Sequence, residues 1–236
     1  MIERHIAYSA DGRDMIGTYV VGDGGGKRPA VLVCHEGPGL DDHARGYARK
    51  LADLGYAAFA LDYHGGGKPL TDRDAMMARF GELMGSPDRI VALGKAGLDQ
   101  LLAQPEADAS RSASIGFCFG GTMSFQLARA GIDIKAAVGF HAGLATTAPA
   151  KAGAVRAKVL ALIGVDDPII PPQQRADFEK EMTEAKADWQ MMLYGGAAHS
   201  FTNPAAANLN MPGIVYDAKT EKRSWRAMLD LFQEVF

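Results

Sequence analysis

Only two cysteines, Cys34 and Cys118, occur among the 236 residues. Each lies in or at the end of a strongly apolar run, which is a poor basis for a disulfide framework, so each thiol is read separately. Long apolar runs are also missing: the longest, Val159 to Val165, holds about seven residues where a membrane span needs roughly 20. No transmembrane helix and no membrane partner are expected. The opening Met1-Ile2-Glu3-Arg4-His5 runs into an alternating segment without the apolar core of a signal peptide, so the expected location is cytoplasmic. Neither sign of charge is in marked excess, with 25 Lys and Arg against 28 Asp and Glu, and the basic residues are scattered. A nucleic-acid partner is therefore not expected. The 28 glycines and 11 prolines fall short of the enrichment that marks disorder. His35, His43 and His141 have no metal-ligand spacing, and Gly26-Lys27-Arg28 and Gly67-Lys68-Pro69 lack the Ser or Thr of a phosphate-binding loop. Neither a metal nor a cofactor is expected.

What is present is enough apolar residue, 47% of the chain, to bury a full core in one domain over residues 1–236. Ile2 to Tyr8 and Met15 to Val21 alternate polar with apolar around Asp11-Gly12, as a hairpin does. The pattern then changes. Ala30 to Cys34, Tyr56 to Leu61, Ser112 to Phe117, Ala136 to Phe140 and Val159 to Val165 are short continuous apolar runs, the mark of strands buried on both faces of a parallel sheet. A last strand is expected over Trp189 to Tyr194. Helical spacing fills Asp42 to Leu54, two helices broken at Ser86-Pro87 within Asp72 to Leu102, then Pro172 to Ala185 and Ala218 to Phe236. The expectation is an α/β fold with an eight-stranded, mostly parallel sheet and helices on both faces. The connections after the fourth and sixth strands leave no room for a separate cap domain.

The chemistry concentrates at Ile115-Gly116-Phe117-Cys118-Phe119-Gly120-Gly121-Thr122, between an apolar strand and a helix beginning near Gly120. Small residues at 116, 120 and 121 suit a sharp strand-to-helix turn whose apex residue is strained. This is a nucleophile elbow carrying cysteine, and the helix amino terminus it faces favours a thiolate. The alternative is a buried structural cysteine beside packing glycines. Such an elbow takes an acid and then a base from the loops after later strands. The strand Val159 to Val165 runs into Asp166-Asp167-Pro168-Ile169-Ile170-Pro171, and Trp189 to Tyr194 runs into Gly195-Gly196-Ala197-Ala198-His199-Ser200-Phe201. His199 is read as the base. Asp167 is preferred to Asp166 as the orienting acid because it directly precedes the Pro168-to-Pro171 segment, though either could be only a turn or helix cap.

With these residues in view, the sequence resembles the dienelactone hydrolases (carboxymethylenebutenolidase-like) of the α/β-hydrolase superfamily. The likeness runs from about Ala30 to the carboxyl terminus through His35-Glu36-Gly37, Gly116-Phe117-Cys118-Phe119-Gly120-Gly121, Asp167 to Pro171 and His199-Ser200-Phe201. The resemblance implies a Cys118, His199, Asp167 triad, and a Glu36 carboxylate that reaches the resting thiol; the alternative for Glu36 is a surface loop carboxylate. The oxyanion hole should be the backbone N–H groups of Gly37 and Phe119. His64-Gly65-Gly66-Gly67 looks like a lipase oxyanion motif but follows the wrong strand, and reads as a flexible loop. The chain departs from the family at Asn203, where dienelactone hydrolases carry an arginine that holds a substrate carboxylate. Arg73 and Arg79 lie where a second arginine would come from, and neither is assigned. Tyr63, His64, Phe119, Phe201 and Asn203 are expected to give an aromatic, nearly neutral pocket.

The expected activity is thus a cofactor-free cysteine hydrolase of small, neutral, activated esters or lactones, acting as a monomer or homodimer. The alternatives are hydrolysis of neutral phosphotriesters by the same triad, or a non-catalytic ligand-binding or thiol redox module, for which Cys34 is the only second thiol.

Overall fold

The structure is a computed structural model and describes residues 1–209 and 211–236. The chain begins with the hairpin β1 (Ile2–Ala10) and β2 (Arg13–Val21). Ala10 pairs with Arg13 across Asp11 and Gly12, both at positive φ (53° and 68°), as the two-residue hairpin turn requires. There follow β3 (Arg28–Cys34), α1 (Asp42–Asp53), β4 (Ala57–Ala60), α2 (Arg73–Met84), α3 (Pro87–Leu102), β5 (Ala107–Phe117) and α4 (Phe119–Arg129). The chain ends with β6 (Ala136–Phe140), β7 (Lys158–Gly164), α5 (Pro172–Glu184), β8 (Trp189–Tyr194), a 3₁₀ turn (Pro204–Leu209) and α6 (Ala218–Val235).

The eight strands form one sheet in the order β1-β2-β4-β3-β5-β6-β7-β8. The hairpin joins antiparallel through β2 and β4, and every pair from β4 to β8 is parallel. Alternate residues of the central strands feed two separate cores, as the period-two pleat dictates. Ala30, Leu32 and Cys34 of β3 pack with Leu93 of α3, Met123 of α4 and Phe178 of α5. Val31 and Val33, with Ile115 and Phe117 of β5, pack against Tyr47 and Leu51 of α1 and Phe232 of α6. Helices therefore cover both faces. The expected architecture stands, and no cap domain interrupts the described residues.

One strand differs from the sequence reading. β5 starts at Ala107 instead of Ser112, because Asp108 pairs with Pro29 before the register slips and Ser112 pairs with Ala30. The Asp108 carboxylate accepts from the Ser110 N–H (3.0 Å) and Arg111 Nε (2.8 Å), so a polar bulge replaces the apolar signal that would have marked the strand. Among the described residues, no helix is long and apolar enough to cross a membrane.

Candidate active site

β5 delivers the chain to Cys118, whose φ of 52° and ψ of −118° lie where L-residues are rarely found. Such a backbone costs about 1–3 kcal/mol and persists only where its surroundings over-determine it. Three glycines do so here. A Cβ on Gly116 would lie 2.0 Å from the Gly120 carbonyl oxygen, one on Gly120 would lie 2.1 Å from that of Cys34, and one on Gly121 would lie 2.4 Å from Cβ of Ala142. The elbow is thus wedged between the ends of β3, β5 and β6. Cys118 becomes the residue before α4, and the Phe119 N–H is one of the first-turn donors that have no partner within the helix. The Cys118 N–H itself is spent: it donates to the Phe140 carbonyl (3.0 Å) and to His141 Nδ1 (3.2 Å).

His199 and Asp167 meet, although they come from different loops. His199 Nδ1 lies 2.7 Å from Asp167 Oδ2, and both side chains are buried. The two loops approach because Gly164, at the end of β7, has no side chain; a Cβ there would sit 2.3 Å from the Ala197 carbonyl oxygen. The His199 backbone is pinned on both sides, its N–H donating to Gly213 O and its carbonyl accepting from the Val215 N–H, each at 2.9 Å. Asp167 Oδ1 accepts from the Ile169 N–H at 2.8 Å, whereas Asp166 is exposed. His199 Nε2 is buried and makes no hydrogen bond to protein. Burial disfavours a charged imidazole at this position, but Cys118 and the bond to Asp167 outweigh it and raise the His199 pKa to about 10. The ring therefore carries a proton that faces the thiol side of the site.

Glu36, after β3, is 5% exposed, so it is not a surface carboxylate. Its Oε1 accepts from Ser200 Oγ (3.0 Å) and its Oε2 from Asn203 Nδ2. No hydrogen bond joins it to Cys118; the loop that carries His199 holds it instead. The neighbouring Gly37 has a steric reason for being glycine, since a Cβ would lie 2.1 Å from Phe80 Cζ of α2. Among the described residues, the N–H groups of Gly37 and Phe119 have no protein acceptor.

Tyr63, His64, Phe201 and Asn203, expected to form the pocket, are each engaged with neighbouring groups, and His64 lines a cavity with Arg13, Leu70 and Arg79. Asn203 is buried and engaged twice, donating to Glu36 and accepting from the Ala205 N–H at 2.9 Å, so it positions the carboxylate. Phe201 is fully buried in the core under α1 and α6, edge-on to His141 with ring centroids 5.0 Å apart. Tyr63 is also fully buried, stacked on His35 at 3.7 Å, and His64 Nε2 bonds the Gly37 carbonyl at 2.7 Å. Nor is the His64-to-Gly67 segment slack: the Asp62 carboxylate accepts from the N–H groups of His64, Gly65 and Gly67. Arg79 is buried, paired with Asp11 at 2.8 Å and donating to the Tyr63 carbonyl at 2.9 Å, while Arg73 is exposed on α2. Tyr63 and His64 point inward because β4, which they follow, lies inside the sheet between β2 and β3.

Two residues escape sequence reasoning. Phe80 packs edge-on to Phe119 at 5.3 Å and over Gly37, forming an apolar wall beside both candidate oxyanion donors. His141, directly after β6 and at φ 40°, accepts from the Cys118 N–H, so its proton is on Nε2, which donates to Thr202 Oγ1 at 2.8 Å. Burial, then the nearby His199 and His43, keep its pKa well below the usual histidine value, and it is neutral. The position of His141 at the carboxyl end of a strand beside the elbow strand was the available signal, since that edge of such sheets carries the site. Among the described residues no cluster of His, Cys, Asp or Glu could hold a metal ion.

Comparison with known proteins agrees with this geometry. The chain is 45% identical to the solved protein m3DLH, with a TM-score of 0.94, covering 100% of this chain and 98% of that one. It is 40% identical to P91, a dienelactone hydrolase-like promiscuous phosphotriesterase from metagenomic libraries, with a TM-score of 0.93 and the same coverage. The dienelactone hydrolase of Anabaena variabilis, 20% identical at a TM-score of 0.65 over 97% of each chain, shares the fold. The model of the dienelactone hydrolase family matches residues 16–236, so the chain belongs to that family and is an ester or lactone hydrolase of the α/β-hydrolase superfamily.

Proposed function

We propose that the chain hydrolyses small, uncharged, activated esters and lactones through an acyl-Cys118 intermediate. The observation that carries this reading is His199: one ring nitrogen is fixed by Asp167, the other is buried without a hydrogen-bond partner, and Cys118, together with Asp167, raises its pKa. In the first step Cys118 Sγ, as thiolate, attacks the carbonyl carbon, and the carbonyl oxygen takes the negative charge between the N–H groups of Gly37 and Phe119. The carbon–oxygen bond to the leaving group then breaks, and His199 gives its proton to the departing alkoxide. In the second step His199 takes a proton from water, hydroxide attacks the thioester, and collapse of that tetrahedral species releases the acid and the Cys118 thiolate. Glu36 is held by Ser200 and Asn203 on the histidine side of the site.

A neutral phosphotriester is the second substrate class. Its phosphoryl oxygen would occupy the same two N–H groups, and the 40% identical relative P91 is named a promiscuous phosphotriesterase. A thiol redox role is disfavoured because Cys34, the only other cysteine, is fully buried, with its sulfur 3.7 Å from Ser114 Oγ.

Intact-protein mass spectrometry during turnover of a slow aryl ester tests the reading. The expected result is an acyl adduct on Cys118 and loss of turnover by about 10⁴-fold or more in Cys118→Ala. Full esterase activity in that variant would refute it. With an aryl dialkyl phosphate in the same assay, continued leaving-group release supports the second class, and one stoichiometric burst followed by silence limits it to inactivation.

A further inference from the structure

Three buried donors outside the triad converge on three consecutive carbonyls of the loop after β3, those of His35, Glu36 and Gly37. Tyr63 Oη donates to the Glu36 carbonyl at 2.9 Å and to the His35 carbonyl at 3.1 Å. His35 Nδ1 reaches the same Glu36 oxygen at 2.6 Å, and the Gly39 N–H adds a longer bond at 3.2 Å. His64 Nε2 reaches the next carbonyl, that of Gly37, at 2.7 Å. Both ring nitrogens must be protonated there, because a carbonyl only accepts. Burial depresses the pKa of both imidazoles, so each is neutral and presents one fixed N–H.

The Glu36 carbonyl and the Gly37 N–H belong to one planar trans peptide and point in opposite directions. Holding the carbonyl by Tyr63, His35 and Gly39 therefore sets the direction of the Gly37 N–H, which has no protein acceptor among the described residues. The loop is also seated against the elbow, since a Cβ on Gly120 would strike the carbonyl oxygens of both Cys34 and His35. A glycine has no side chain of its own to resist a peptide flip, and Gly37 can bear none under Phe80. The rigidity has to come from outside.

We infer that Tyr63, with His35, is a clamp that fixes the Glu36–Gly37 peptide so that the Gly37 N–H serves as an oxyanion donor, which makes Tyr63 a positioning residue for the reaction. This rests on the hydrolase reading above. It accounts for a phenol whose hydroxyl is buried at the bottom of the site: Tyr63 cannot touch substrate, yet its proton is committed to the backbone that would. Tyr63 is itself anchored by Arg79, which donates to its carbonyl and pairs with Asp11 in the hairpin turn.

The test separates two reactions of the same sulfur. Acylation by an ester develops an oxyanion and needs the hole, whereas alkylation by iodoacetamide does not develop one at that position and reports the thiol alone. Tyr63→Phe keeps the ring stacked on His35. It should slow ester acylation of Cys118 by about 10-fold, less than the 10²–10³-fold typical of deleting a donor outright, and lower kcat with KM nearly unchanged. Iodoacetamide labelling of Cys118 should stay within about twofold of wild type. His35→Phe, which removes the second side-chain donor to the Glu36 carbonyl and keeps a ring stacked on Tyr63, should give the same split and carries the test if Tyr63→Phe does not fold. Unchanged acylation would make the clamp idle, and an equal fall in both rates would assign Tyr63 to general stability; either overturns the inference. Wild-type protein that never acylates would sink the hydrolase reading together with the clamp, whereas a wild type that acylates beside an unaffected Tyr63→Phe sinks the clamp alone.

Discussion

At the residue scale, the feature that sets the chemistry is the protonation of His199. Burial opposes its charge, and the balance is reversed chiefly by Cys118, with help from Asp167. A nearby opposite charge typically shifts a pKa by about 1–3 units. In Cys118→Ala the burial remains and that charge is gone, so the midpoint for His199 should fall from about 10 by at least about one pH unit. Nuclear magnetic resonance of the ring Cε1–H across pH reads this directly. An unchanged midpoint would mean that Asp167 alone holds the proton. The sign matters for function: a histidine with a raised pKa stays protonated through neutral pH, ready to protonate a leaving group, and loses that capacity as pH rises through its midpoint.

At the element scale, the elbow is a packing arrangement. The turn from β5 into α4 exists because the first turn of α4, the end of β3 and the Ala142 side chain occupy the space where side chains of residues 116, 120 and 121 would be. Gly120→Ala places its Cβ 2.1 Å from the Cys34 oxygen and 2.5 Å from the His35 oxygen, neither of which can rotate away. Overpacking of this kind costs about 1–3 kcal/mol and sometimes more, and relief would move Cys118. The variant should melt earlier and lose most esterase activity. Gly46 in α1 is the control, because a Cβ there would meet nothing within 4 Å and its φ is not positive. Gly46→Ala should stabilise by about 0.5–1 kcal/mol, raising Tm by about 1–4 °C for a chain of this size. Thermal denaturation of both, followed by circular dichroism, checks the pair. A Gly120→Ala protein that melts and turns over like wild type would show that the elbow has slack.

At the scale of the whole molecule, the distribution of charge leads to a prediction about substrate preference. The net charge is −3, Arg79 is committed to Asp11 and Tyr63, and the position expected to carry a clamp arginine is Asn203, itself committed to Glu36. A substrate carboxylate would arrive beside Glu36 without the charge-assisted hydrogen bonds, worth about 1.5–3 kcal/mol, that a guanidinium supplies. We expect kcat/KM for a neutral aryl ester to exceed that of its matched carboxylated ester by about tenfold or more. The neutral rate should also be nearly flat in ionic strength, since no long-range steering acts on an uncharged ligand. A tenfold preference for the acid would overturn this.

The sequence by itself determined the order of elements, the parallel sheet, the elbow at Cys118, and His199 in the loop after the last strand. Those are consequences of local pattern: apolar runs of strand length, glycines where backbones collide, and the order in which a doubly wound sheet presents its loops. It also pointed to Glu36 and Gly37 through the family resemblance. Tertiary structure alone decided which way side chains face. Asp166 and Asp167 are chemically identical in sequence, and only the seating of the loop against Ala197 buries one and exposes the other. Tyr63, His64, Phe201 and Asn203 have the composition of a pocket, yet each spends its polar or aromatic group on neighbours more than twenty residues away or on the core. His141 and Phe80 come to the site by packing between elements with no local motif. The physical reason is one of range: periodicity and turn chemistry are encoded within about a dozen residues, whereas the direction of a side chain at a strand end is fixed by partners that only the folded sheet brings near.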